Sequence, residues 1–195
     1  MNSALAARNF PTHEAEAYYG MVGWGLDELV RKALPEGAEV ETVTSEIKEA
    51  WTDYYREHPA DKAVPYEGIP ELLSVLVEAN LSLGVLSNKP DELAKRTVEE
   101  LLPARYFASI RGQSDEFPRK PDPNSLLHML AELRVAPEEA CLVGDSEIDM
   151  ETARNAGVTA VAVGWGFRDL ETLRRSGAEI VAHSAEELRE HLLNR

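Results

Sequence analysis

The chain has 195 residues, 44% of them hydrophobic, enough to bury one sizeable core with a smaller subdomain beside it. Twenty basic residues against 35 acidic ones leave a formal net charge of −15, so its overall field repels nucleic-acid backbones and anionic membrane surfaces, leaving room at most for a local basic spot. Met1-Asn2-Ser3-Ala4-Leu5 lacks the basic start and apolar core of a signal peptide, and no apolar run approaches the ~20 residues that span a bilayer. The one cysteine, Cys141, sits in an apolar run and fits a core position in a reducing, cytoplasmic setting.

From Met1 to about Pro65 the pattern is helical, with apolar positions at Leu26, Leu29, Val30 and Ala33, then at Val43, Ile47, Ala50, Trp51 and Tyr54. The first of these helices is expected to stop at Leu34-Pro35-Glu36-Gly37 and the second near His58-Pro59. The reading is a small helical domain over 1–65, followed by an α/β domain over 66–195 in which strands and helices alternate. In that second part Ile69–Ala79 reads as helix and Leu81–Leu86 as buried strand, with Pro90 opening the next helix as its first residue. Tyr106–Ile110 reads as a short strand, Ser125–Leu133 as helix, and Ala140–Val143 as strand. Glu147–Asn155 reads as a helix closed by Gly157, and Val158–Val163 as a strand. Leu170–Arg175 and Ala185–Leu193 read as closing helices with a short strand, Glu179–Val181, between them. The fold class is α/β with a parallel sheet.

Three stretches carry polar groups that an apolar strand end does not need, and the pattern brings all three to one sheet edge. Ser87-Asn88-Lys89-Pro90 offers a hydroxyl and backbone N–H groups at a strand-to-helix turn, which can cradle an anion or simply cap the helix. Arg119-Lys120-Pro121-Asp122-Pro123 holds a lysine between prolines, as a positioned ammonium or a rigid surface turn. Gly144-Asp145-Ser146-Glu147-Ile148-Asp149 sets two carboxylates four residues apart on one helix face. Like charges at that spacing repel; a helix N-terminus tolerates them, and a hard cation such as Mg²⁺ makes the pairing favourable.

In order and spacing these stretches resemble motifs two, three and four of the haloacid dehalogenase superfamily, most like its phosphoglycolate phosphatase branch. Gly23-Trp24-Gly25-Leu26 with Leu29-Val30 is similar to that branch's helical cap, and Val163-Gly164-Trp165-Gly166-Phe167-Arg168 to a loop of its core. The resemblance implies a Rossmann-like core beneath a cap, hydrolysing small phosphate monoesters through a phosphoaspartate with Mg²⁺. It implies that Ser87 and the backbone N–H of Asn88 bind the transferring phosphoryl group and that Lys120 stabilises charge on the nucleophile and the phosphoryl oxygens. It further implies that Asp145 ligates Mg²⁺ and that Asp149 acts as ligand or through a bound water.

The family's first motif, a strand ending in Asp-x-Asp, has no counterpart, since no Asp-x-Asp pair occurs and the first aspartate is Asp27. The expectation is a chain that begins after that strand, through an internal start, a natural truncation or an engineered fragment, and that is inactive by itself. The central strand of the sheet would then be missing between those at Leu81 and Ala140, at a cost in stability. A non-catalytic phosphate-binding or regulatory protein is the competing class. Within the superfamily a sugar phosphomutase, a dehalogenase and a pyrophosphatase are the other readings; a receiver domain fits the Lys-Pro-Asp-Pro loop and helical lead-in less well. His13, His58, His128, His183 and His191 are scattered and receive no role, and the pattern leaves the oligomeric state unread.

Overall fold

The computed structural model describes residues 1–38, 40–61 and 63–194, with residues 40–42 by backbone alone. The first third is helical: α1 (Asn2–Ala6), a short 3₁₀ turn (Ala15–Gly20), α2 (Leu26–Ala33) and α3 (Val40–Glu57). Helix α2 carries Asp27 and Glu28 in its first turn and Arg31 and Lys32 in its last, complementing the helix dipole at both ends. Its Leu26, Val30 and Ala33 fall on one face and bury against Leu5 of α1 and Ile47 and Trp51 of α3. Leu93 of the following α/β part enters the same cluster, so the two parts share a core contact.

The remainder alternates strand and helix: α4 (Ile69–Glu78), β1 (Leu83–Pro90), α5 (Asp91–Leu101), β2 (Phe107–Gln113), α6 (Asn124–Leu133), β3 (Cys141–Gly144), α7 (Glu147–Ala156), β4 (Thr159–Val163), α8 (Leu170–Arg175), β5 (Ile180–Ala182) and α9 (Ala185–Leu193). Every strand pairing is parallel. Strand β4 shows why the sheet is covered on both faces: Ala160 and Ala162 pack with α6, α7 and α8, while Val161 and Val163 pack with α4 and α9. This α/β fold is the expected one. The strands form a two-stranded sheet, β1-β2, and a three-stranded sheet, β3-β4-β5.

Two local expectations change. Strand β1 runs on to Pro90, which pairs with Gln113 of β2, so Ser87 lies inside extended chain and α5 starts at Asp91. Ser87 is therefore no helix cap: the strand resumes its pairing at Pro90 after a register shift beyond Leu86. Nor do three strand ends share one sheet edge: β1 and β3 belong to different sheets, and Lys120 comes from the loop before α6.

Met150 on α7 is fully buried against β4, whereas Leu193 at the end of α9 is 40% exposed. Met150→Ala is expected to cost about 2–5 kcal/mol by leaving a cavity, and Leu193→Ala within about 0.5 kcal/mol of nothing. Urea midpoints of the two variants check this.

Candidate active site

A cavity of about 520 Å³ opens between the N-terminal helices and the carboxyl ends of β1 and β3, and Ser87, Asn88, Lys120, Asp145 and Asp149 all line it. The sequence-predicted residues are thus brought together, though from two sheets and a loop. Lys120 is the junction. Its ammonium donates to the Leu86 carbonyl at 2.9 Å and to Asp149 Oδ1 at 2.7 Å, tying the end of β1 to the start of α7.

Asp149 is 6% exposed and has both oxygens engaged. While Oδ1 takes the lysine, Oδ2 accepts from the Ser146 hydroxyl at 2.6 Å and from the backbone N–H groups of Ser146 and Asp145 at 3.2 and 3.3 Å. Ser146 is also the N-cap of α7, so capping and carboxylate positioning are one network. Burial pushes the Asp149 carboxyl up, but the Lys120 charge and these hydrogen bonds outweigh it and hold its pKa below the usual value. Gly144 makes the arrangement sterically feasible: a Cβ there would sit 2.3 Å from Asp149 Cβ.

Asp145 is placed differently. Its Oδ2 accepts from the Phe167 N–H at 2.8 Å, and its other oxygen takes no hydrogen bond from the described residues. Burial raises its pKa, and the neighbouring Asp149 charge adds to the effect. Gly166 lets the 164–168 loop pass this close, since a Cβ there would lie 2.1 Å from Asp145 Cβ.

Ser87 Oγ accepts from the Lys89 N–H at 3.1 Å, which leaves its own proton for another acceptor. Asn88 does more with its side chain than the sequence suggested. Its Oδ1 accepts from the Lys120 N–H at 2.8 Å, and its Nδ2 donates to the carbonyls of Lys120 at 3.0 Å and Gly23 at 2.8 Å. One buried amide thus fixes β1, the lysine loop and the N-terminal helical part together.

Two arginines that sequence reasoning passed over complete this clasp. Arg168 binds Glu147 at 2.8 Å through Nε and reaches the Val22 carbonyl at 3.2 Å and the Tyr19 carbonyl, while Arg119 donates to the Trp24 carbonyl at 2.8 Å. Both stand in loops that the sequence singles out, 119–123 and 163–168, but nothing local to either points to residues 19–24. Of the two loop tryptophans, Trp165 packs beside the β4 layer and Trp24 lines a neighbouring hollow with Arg119. Among the described residues no group of three or more His, Cys, Asp or Glu forms a metal cluster, and no helix is long and apolar enough to cross a membrane.

The chain matches the haloacid dehalogenase-like hydrolase family over residues 1–163, and it belongs to that family. A phosphoglycolate phosphatase of Chromobacterium violaceum is 33% identical over 99% of this chain and 88% of its own length. One from Vibrio parahaemolyticus is 29% identical over 97% of this chain and 85% of its own. The crystal structure of a candidate phosphoglycolate phosphatase from Lactobacillus delbrueckii subsp. bulgaricus superimposes with a TM-score of 0.89 at 29% identity, covering 100% of this chain and 90% of that one. Within the family, then, the chain is phosphoglycolate phosphatase-like.

The opposite shifts of the two aspartates give a pH signature. A carboxyl whose pKa rises on folding binds more protons folded than unfolded, so its ionisation lowers stability as pH rises through the raised value. Asp145→Asn is therefore expected to raise the urea midpoint at neutral pH in metal-free buffer, and the gain should vanish below the ordinary aspartate range. For Asp149, with its pKa lowered, the sign reverses: Asp149→Asn loses stability at neutral pH, and the loss shrinks as pH falls through the ordinary aspartate range towards the depressed value.

Proposed function

We propose that this site belongs to a Mg²⁺-dependent phosphatase of small phosphate monoesters of the phosphoglycolate type, with residues 1–65 as a cap over the 66–195 core. The observation that carries the reading is the fixed Lys120 ammonium, held by Leu86 and Asp149 in the same cavity as the Ser87 hydroxyl and the unshared oxygen of Asp145. Phosphoryl transfer needs little beyond positioning and compensation of charge on the phosphoryl oxygens.

In this reading Ser87 donates its free proton to a phosphoryl oxygen, with the Asn88 N–H beside it. Lys120 directs its remaining N–H to the transferring group and lowers the repulsion between it and an attacking carboxylate. The donor chemistry fits Mg²⁺: a hard cation takes one or two carboxylates and completes its shell with water and substrate oxygens, and Asp145 keeps one oxygen unshared in a half-buried, acidic setting. Bound there, Mg²⁺ would neutralise phosphoryl charge. Asp149, both oxygens engaged, orients Lys120 and reaches the metal only through water.

The nucleophile is the part that these residues do not provide. The family's Asp-x-Asp pair is absent from the 195 residues. Strand β1 pairs only with β2, and β3 only with β4, so each keeps an edge without a strand partner among the described residues. Leu86 of β1 and Leu142 of β3 pack on one apolar cluster, so the two strands lie close, and Val143 of β3 is 36% exposed. We infer that a further strand between them carries the aspartate that becomes phosphorylated, and that the chain without it binds ligand but does not turn it over.

Hydrolysis of an aryl phosphate tests this. The chain alone should be inactive, and the chain joined to its natural upstream sequence should turn over only with Mg²⁺. In that longer protein Lys120→Ala should lower kcat by about 10²-fold or more. Activity that survives either metal removal or Lys120→Ala contradicts the mechanism, and inactivity of the longer protein favours a phosphate-binding regulatory role.

A further inference from the structure

The cavity holds a second cation that the proposed chemistry leaves unused. Lys89 follows Ser87 by two residues on β1, where the register against β2 shifts between Leu86 and Pro90, and its backbone N–H donates to Ser87 Oγ at 3.1 Å. It lines the same cavity, where Leu26, Leu29, Trp51 and Tyr55 of α2 and α3 form a largely apolar wall. Its ammonium lies 4.4 Å from the centre of the Tyr55 ring and 3.3 Å from Thr97 Oγ1. The Thr97 hydroxyl proton points to backbone carbonyls, Leu93 at 2.7 Å or Pro59 at 3.2 Å, so a lone pair is free for the lysine.

What Lys89 lacks, among the described residues, is a carboxylate partner. Lys32, Lys48, Lys95 and Lys120 each have one within 4 Å, and among the described lysines Lys89 alone does not. In a chain with 35 acidic residues that is an unusual position for a half-buried ammonium. Desolvation lowers its pKa, as expected for a cation short of a counter-charge. An anion entering the cavity would supply that charge where water is scarce and the interaction is correspondingly strong.

Resting on the phosphatase reading above, we propose that Lys89 is a specificity-determining residue that binds a second anionic group of the substrate, a carboxylate one or two carbons from the phosphate ester. One cavity holds all three groups: Ser87 and Lys120 receive the phosphoryl end, and Lys89 receives the other end. Tyr55 and Thr97 position the ammonium without neutralising it. The substrate class is therefore a short phosphorylated hydroxy acid, rather than an alkyl phosphate without a second anionic group or a sugar phosphate.

Calorimetric titration of this chain in Mg²⁺ buffer reads the effect directly, without turnover. The probes are phosphoglycolate, its carboxylate-free analogue ethyl phosphate, and inorganic phosphate. The wild type should bind phosphoglycolate at least 10-fold more tightly than ethyl phosphate, as a partly desolvated charge pair would give. Lys89→Met should bring the two within about 2-fold while leaving inorganic phosphate unchanged, and Lys89→Arg should restore most of the preference. A preference that persists in Lys89→Met, or equal affinities in the wild type, overturns the assignment of Lys89 while phosphate binding still stands. Failure of all three probes to bind the wild type overturns the phosphate site itself, and this inference with it.

Discussion

The buried pair between Lys120 and Asp149 is the contact on which the rest of the site depends. Neither partner could stay charged there alone, because the cost of removing an isolated ion from water is several kcal/mol (about 3–5 kcal/mol when one member of such a pair is deleted). The structure meets that cost by giving Asp149 three further donors, two of them N–H groups at the start of α7. The helix N-terminus thus supplies positive character to a carboxylate that in turn holds the ammonium. Gly144 is the steric condition for the pair, and Ser146 is the capping condition.

A second constraint comes from across the cavity. Residues 19–24 are held by Arg168, Asn88 and Arg119, each donating to a main-chain carbonyl of that stretch. Main-chain carbonyls fix the path of the segment whatever its side chains, so the helical part can vary its pocket-facing residues without losing its seat. Lys89 and Tyr55 meet where α3 faces β1. In the proposed reading, chemistry and selection in the cavity fall to different residues: Lys120 and Asp145 for the first, Lys89 for the second.

Much of this was legible in the sequence because it is local. Gly157 as the cap of α7 and the apolar run of β4 follow from periodicity and turn chemistry, whereas Asp145, expected on one helix face with Asp149, lies ahead of the Ser146 cap and outside α7. The grouping of Ser87, Lys120 and Asp145 follows from the strand-and-helix alternation and from motif order together. What could not be read was long-range. Nothing near Asn88 announces a partner at Gly23, 65 residues away, and nothing near Arg168 announces one at Val22. Ser87 was placed at a helix start because Pro90 looks like a helix opener; pairing with Gln113, invisible from the local pattern, extends the strand past it. The two aspartates looked alike in sequence, and only their surroundings push their pKa values apart.

The central claim is that the Asp145 carboxylate and the Ser87–Lys120 anion site serve one metal-bound phosphoryl group. Paramagnetic relaxation of phosphorus measures this in the chain as it is, with Mn²⁺ in place of Mg²⁺ and inorganic phosphate as the probe. Protein-bound Mn²⁺ should strongly enhance the phosphate ³¹P relaxation, and the enhancement should be abolished in both Asp145→Asn and Lys120→Ala. Phosphate that binds with relaxation no greater than free Mn²⁺ produces, or enhancement that survives Asp145→Asn, would contradict that claim.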